Sequence, residues 1–387
     1  MAAQRATRAT HALACVAIVG MLVACSSPLP QSPQIPQGPA PSVPTAPADG
    51  APLPPALQQA KSRWVPVRWA ELPGWEADRP AEAWAAWIKS CERPGPVFAP
   101  LCAEVRRLGA ASPEAQRAWM MARLQPYRVE PLQGASDGLL TAYYEPVLDA
   151  SRLPRAGFQV PLYRPPATLN SRRPWYTRQE IDTLPEARAA LRGREIAYLA
   201  DPVDALVLQI QGSGRLRVQE ADGSQRMVRL AFAATNDQPY KSVGRWLIDQ
   251  GAVRDASWPS IKAWLSQYPQ RTNELLWSNP RTVFFREEAL PEPDAAAGPR
   301  GAQGVPLTAG RSIAVDPQSI PYGTPVWLTS AGPSVNLQRL VLAQDTGSAI
   351  VGAVRADYYV GSGFEAGEVA GRLKQPLKLW VLWPKQP

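Results

Sequence analysis

Asp316, Asp345 and Asp357 stand apart from the other carboxylates of the chain, because each sits where strand-forming residues meet turn residues rather than on a polar helix face. Asp316 lies in the stretch from Gly310 to Thr324, where an apolar run enters a proline-containing turn. Asp345 follows the run Leu340 to Ala343 and opens Asp-Thr-Gly. Asp357 follows Ile350 to Ala356 and precedes Tyr358-Tyr-Val-Gly361. Taken singly, Asp-Pro and Asp-Thr-Gly are turn formers whose carboxylates bond backbone amides. Taken as a block, carboxyls among tyrosines and valines suit general acid-base work, because desolvation and a like-charged neighbour keep a proton on a group that would otherwise lose it. Histidine cannot share that work: the only one, His11, lies in a segment expected to be removed. A chain without histidine has no Ser-His-Asp or Cys-His mechanism and no common histidine-based zinc site, so no metal and no cofactor are expected.

The segment carrying His11 reads as a signal peptide over residues 1–24, with basic Arg5 and Arg8 and an apolar run from Ala12 to Ala24 too short to span a bilayer. It ends in Leu22-Val-Ala-Cys25, which resembles a lipobox and makes Cys25 the expected lipidated residue. Ser26 follows where an aspartate would retain a lipoprotein in the inner membrane, so the periplasmic face of the outer membrane is the expected location. Proline alternates with Ser, Gln, Ala and Gly to about Pro55, a composition that favours an extended tether of about 3 Å per residue; the tether is expected over 25–60. An oxidising compartment makes a structural disulfide the expectation for Cys91 and Cys102. The formal net charge of +8, without a basic run, speaks against nucleic acid and suits an anionic polymer.

About 325 residues remain, enough for two domains. Trp84, Trp87 and Ile88 share one face of a helix over Glu82 to Cys91, Ser112-Pro-Glu caps another, and Thr177 with Glu180 has the spacing of a capping box. Strands are predicted over Leu139 to Tyr144, Phe158 to Tyr163 and Ala205 to Gln211, then helices over Ser242 to Gln250 and Pro259 to Tyr268, and strands again from Gly304 onward. That order predicts an α+β protein in which a β-rich domain, 140–240, is inserted into a first domain formed by 61–139 and 241–387, with a groove between them.

The three aspartate segments, with Leu140-Thr-Ala-Tyr-Tyr-Glu-Pro146, Gln209-Ile-Gln-Gly-Ser-Gly-Arg215, Tyr240-Lys-Ser-Val-Gly244 and Asn279-Pro-Arg-Thr-Val-Phe-Phe285 in the same order, resemble the membrane-bound lytic murein transglycosylase A family and its three-aspartate domain, over residues 60 to 385. The resemblance implies a double-psi β-barrel with an inserted second β-barrel-like domain, and cleavage of peptidoglycan glycan strands with formation of 1,6-anhydromuramic ends. By position Asp357 matches the catalytic acid, Asp345 an aspartate beside it in the groove, and Asp316 the first of the three, in a supporting place. Gln211, Gly212 and Ser213 would hydrogen-bond sugars, although the same residues read as a hairpin turn. Tyr143, Tyr144 and Tyr240 would stack on sugar faces, although strand-flanking tyrosines are commonly packing residues. The expected partners are glycan strands, the outer membrane through the lipid anchor, and a cell-wall synthesis complex.

The reaction explains why one carboxyl can suffice. An ordinary glycosidase needs a second carboxylate as nucleophile or base. The muramic 6-hydroxyl can instead attack the anomeric carbon intramolecularly. A hydrolase using Asp345 and Asp357 as a pair, and a non-catalytic lipoprotein that binds the cell wall, are the alternatives.

Overall fold

The computed structural model describes residues 52–134, 137–290 and 297–385, and the expected signal peptide and Cys25 lie outside them. The first segment contributes β1 (Leu57–Gln58), β2 (Ser62–Pro66), α1 (Pro80–Ser90), α2 (Cys102–Arg107), α3 (Pro113–Arg123), β3 (Leu124–Pro131) and β4 (Gly138–Glu145). Pro80 occupies the first turn of α1, where its missing N–H costs nothing, and the Ser112 side chain caps α3 by accepting from the Ala115 amide. Trp84 and Trp87 of α1 and Trp119 of α3 are buried together against Trp327 and Trp380, and a disulfide joins Cys91 to Cys102 beside them.

The middle segment holds β5 (Val147–Ser151), β6 (Val160–Tyr163), α4 (Arg178–Thr183), α5 (Pro185–Leu191), β7 (Glu195–Leu199), α6 (Pro202–Gln211), β8 (Ser213–Gln219), β9 (Gln225–Thr235), α7 (Val243–Asp249), α8 (Trp258–Gln267), α9 (Thr272–Trp277) and β10 (Val283–Ala289). Its strands form one sheet in the order β10-β9-β8-β5-β7-β6. Two sequence expectations are corrected. The run Ala205–Gln211 is the body of helix α6, not a strand: Asp201 caps it through the Val203 amide, Pro202 sits in its first turn, and left-handed Gly212 stops it. Its apolar residues Val203, Leu206 and Val207 recur at helical spacing and are buried against α7 to α9. The smaller sheet also continues beyond residue 240, because β10 returns after three helices to pair along β9, which would otherwise leave an exposed edge of eleven residues.

The last segment supplies β11 (Ser312–Val315), β12 (Pro325–Ala331), β13 (Asn336–Asp345), β14 (Arg355–Ser362), α10 (Phe364–Arg372) and β15 (Lys374–Pro384). The larger sheet runs β1-β2-β3-β15-β12-β13-β11-β14-β4, and β15 pairs a second time, with β4. Lys374–Leu377 bond to β4 and Lys378–Val381 to β12, so the long strand closes a barrel of β4 and β11 to β15. Two of its neighbours, β11 with β13 and β14 with β4, run parallel. Inward residues such as Leu140, Ile313, Val341 and Ala356 fill the barrel. The double-psi barrel with a β-rich insertion, implied by the resemblance, is thus the architecture observed.

Glu145, at the end of β4, ties the sheets together. It is fully buried, and it accepts from Arg215 Nε of β8 at 2.7 Å, Arg229 Nε of β9 at 2.6 Å and Ser362 Oγ of β14 at 2.9 Å.

Candidate active site

Strand alternation decides which side chains leave the barrel. Ala356 and Tyr358 point inward, so Asp357 and Tyr359 point out; Leu140 and Ala142 point inward, so Thr141 and Tyr143 point out. Of the apolar neighbours expected around Asp357, Tyr358 and Val360 therefore pack on the other side of the strand. On β13 the same count would send Asp345 inward with Val341 and Ala343. An extra residue, Gln344, is inserted opposite the Ile313–Ala314 step, and such a bulge re-aims the next side chain along the strand. Asp345 and Asp357 consequently both lie opposite Ala314, one on each neighbouring strand, and both line one cleft.

Each carboxylate has its own partners. Asp345 Oδ1 accepts the amides of Ala302 and Thr346, both at 2.9 Å, and Oδ2 accepts the Tyr143 hydroxyl at 2.8 Å. The Ala302 amide reaches it because Gly301 has no side chain: a Cβ there would fall 2.4 Å from the Gln344 carbonyl oxygen. Asp357 Oδ1 accepts the Thr141 hydroxyl, whose oxygen in turn accepts Arg355 Nη2 at 2.8 Å. Burial raises the Asp345 carboxyl to about 6 against the bonds it accepts, with the Asp357 charge adding to the rise. Burial likewise raises Asp357, opposed by Thr141 and the Arg355 charge. Both groups are therefore biased toward holding a proton, which is what an acid working near neutral pH requires.

The Asp345 shift gives a stability prediction with a definite sign. The unfolded carboxyl loses its proton near pH 4 and the folded one near pH 6, so between those values the folded state binds more protons and this group's contribution to stability falls as pH rises. Asp345→Asn is expected to flatten the melting temperature between about pH 4 and 6 and to raise it at pH 7. Thermal unfolding across that range checks this; an unaltered slope would assign the dependence to other groups.

The cleft has a volume of about 810 Å³ and is walled by both sheets. Gln211, Gly212, Ser213, Tyr143 and Tyr240 line it, whereas Tyr144 and Asp316 do not. The Gln211–Ser213 stretch is a helix end running into a strand, not a hairpin turn: Gly212 at φ 79° ends α6 and Ser213 begins β8. Gln211 Oε1 accepts the Tyr144 amide, leaving its amide nitrogen for the cleft. Tyr144 packs against the helical cluster of α6 to α9. Asp316 is buried away from the cleft, where it accepts the amides of Gln318 and Gly352 and pairs with Lys61 Nζ at 3.0 Å. Burial alone would raise it, but the Gly352 amide, Lys61 and the Gln318 amide together hold it below the usual carboxylate range. It is a loop tie.

Sequence reasoning missed Thr141, Arg355 and Phe232. Thr141 and Arg355 lay inside segments already singled out, and only strand pairing brings them to Asp357. Phe232 lines the cleft with 49% of its surface exposed, although β9 alternation groups it with core residues Val228 and Leu230. The extra residue Ala233, between Phe232, which faces Phe285, and Ala234, which faces Phe284, breaks that alternation.

Comparison with known proteins adds three kinds of likeness. Residues 139–286 match the family model described as the MltA specific insert domain, and residues 311–383 match the 3D domain. The membrane-bound lytic murein transglycosylase A of Vibrio cholerae is 33% identical over 258 residues, 63% of this chain and 65% of that protein, so the match spans just under two thirds of that relative. Among solved structures, the lytic transglycosylase LtgG of Burkholderia pseudomallei is 40% identical, covering 89% of this chain and 100% of that one at a TM-score of 0.58. The structure of Escherichia coli MltA with bound chitohexaose is 26% identical, covering 80% and 91% at 0.65.

Proposed function

The chain belongs to the membrane-bound lytic murein transglycosylase A family, and from that premise we propose that it cleaves the β-1,4 bond between N-acetylmuramic acid and N-acetylglucosamine in peptidoglycan, leaving 1,6-anhydromuramic ends. The observation that carries this reading is the pair of half-buried carboxyls flanking Ala314 on the wall of the cleft. In the proposed sequence Asp357 donates its proton to the glycosidic oxygen as the bond to the anomeric carbon breaks. The muramic 6-hydroxyl then bonds to that carbon, and its proton passes to the Asp357 carboxylate, restoring the acid. Thr141, held by Arg355, fixes the orientation of Asp357. Asp345 faces the positive charge that develops on the ring. That Escherichia coli MltA has been solved with bound chitohexaose supports a glycan as the ligand class.

Mass spectrometry of products from purified sacculi tests the reaction class. Termini lighter by one water than reducing ends are expected. Reducing ends would favour hydrolysis by the same two carboxyls, and no release at all would favour a binding protein.

Phe232 is proposed as a stacking platform for a sugar face. Phe232→Ala is expected to raise KM on soluble glycan strands several-fold to roughly tenfold with kcat little altered, and Phe232→Trp to stay close to wild type. Equal losses in kcat and KM for both variants would remove Phe232 from substrate binding.

The remaining assignments rest on the sequence and on the relatives' membrane-bound name. Cys25 would carry the lipid and the proline-rich stretch to about Pro55 the tether, which stops short of the expected residue 60 because Leu57–Gln58 already pair as β1; the outer membrane's periplasmic face would hold the enzyme, within reach of glycan strands and of a cell-wall synthesis complex. The inserted domain would run from β5 to β10.

A further inference from the structure

Six arginines line the cleft, Arg93, Arg178, Arg281, Arg286, Arg300 and Arg355, against two carboxylates, Asp345 and Asp357. Among the described residues only Arg286 forms an ion pair, with Glu288 at 2.8 Å. Arg355 faces Asp357, and Arg93 and Arg300 are exposed. Arg178 and Arg281 differ, because they are built into the wall contributed by the smaller sheet. Arg178 is 8% exposed, and its guanidinium is held by uncharged oxygens: the Asn279 carbonyl at 3.0 Å, Gln209 Oε1 at 2.9 Å and the Arg281 carbonyl. Arg281 Nε donates to the Gln238 carbonyl at 2.9 Å. The frame beneath them is rigid. Asn236 Nδ2 donates to the carbonyls of Tyr176 and Pro280, and Asn236 Oδ1 accepts the Thr282 amide, all at 2.9 Å. Arg178 Nη1 and both Nη atoms of Arg281 have no hydrogen-bond partner among the described residues.

The Asp182 carboxylate acts on Arg178 without forming an ion pair with it, and the cost of a buried cation held by neutral oxygens falls when a carboxylate arrives to share its free donors. Bare glycan offers neutral hydroxyls and acetamides. The muramic residue of peptidoglycan adds carboxylates, either on its peptide stem or, where the stem is absent, on its lactyl group. We propose that Arg178 and Arg281 form a subsite for a carboxylate borne by the muramic residue, so that the cleft distinguishes muramic glycan from neutral chitin-type glycan. This rests on the reading that the cleft holds peptidoglycan. It also gives the positive balance of the cleft a specific ligand.

The test compares three ligands of equal sugar length: stem-bearing glycan, the same glycan after an amidase has removed the stems, and neutral chitohexaose. Affinities are measured on the full chain carrying Asp357→Asn, so that nothing is consumed. Arg281→Gln is expected to reduce the preference for at least one anionic ligand over chitohexaose by roughly tenfold or more, as loss of a charge-assisted pair implies. Loss confined to the stem-bearing ligand assigns the carboxylate to the stem, loss confined to the stem-free ligand assigns it to the lactyl group, and loss on both shows that the subsite accepts either. Independently of any substitution, raising salt from about 0.05 to about 0.5 M should weaken the anionic ligand and spare chitohexaose. A protein that binds all three alike, or an Arg281→Gln variant that weakens all three equally, overturns the subsite. Sacculi that yield no anhydro ends would instead overturn the enzymatic reading, while the affinity ratios still report on the arginines.

Discussion

Asp357→Asn is expected to cut release of soluble glycan fragments by about 10²–10⁴-fold, the usual worth of a positioned general acid. The change is nearly isosteric, and the asparagine oxygen can still accept the Thr141 hydroxyl, so binding of glycan should persist. The electrostatics point the same way. Burial raises the Asp357 carboxyl, so an enzyme that needs its protonated form should lose activity on the alkaline side, as pH climbs past that raised value. Arg355→Gln removes the cation that opposes the rise and should move this alkaline limb upward, whereas a merely structural role would lower activity without moving it. Turnover that survives Asp357→Asn but collapses in Asp345→Asn would transfer the acid role to the neighbouring strand.

The second large effect is expected at Glu145, far from the reacting bond. Replacing it by alanine leaves the buried guanidinium of Arg229 and the half-buried one of Arg215 without their shared carboxylate at the junction of the two sheets. Loss of one partner from a buried ionic cluster destabilises by about 3–5 kcal/mol, which for a protein of this size lowers the melting temperature on the order of 10 °C. Glycan affinity should fall as well, because the two walls of the cleft meet at this cluster. Calorimetric unfolding of the full chain decides it: a shift within a degree or two would show that the acceptors the arginines already share, the Ala297 carbonyl among them, suffice.

Much of this was legible beforehand, for identifiable reasons. Helical spacing of apolar residues located α1, and caps located α3 and α4, since those signals are local and their hydrogen bonds close within a turn. Asp345 and Asp357 stood out as members of a block of three carboxyls set among strand and turn residues, tyrosines and valines. Two things depended on pairing between segments distant in sequence. Alternation could not reveal the bulges at Gln344 and Ala233, so it could not orient Asp345 or expose Phe232. Nor could it separate Asp316 from its two companions, because the Lys61 partner that makes Asp316 a loop tie lies 255 residues away. The Ala205–Gln211 helix was misread as a strand because a short apolar run fits either period, and Asp201-Pro202 was the signal that should have decided it.

The parallel pairing of β14 with β4 has a consequence for how the protein comes into being. Thr141 and Tyr143 are made early, their two carboxylate partners only near the carboxyl end, and barrel closure waits for Lys374–Leu377 to dock onto β4. A chain still being made therefore carries no finished set of reactive groups. Pairing between segments so far apart in sequence slows completion of the barrel, and until it closes the cleft lacks its full set of carboxyls and their partners.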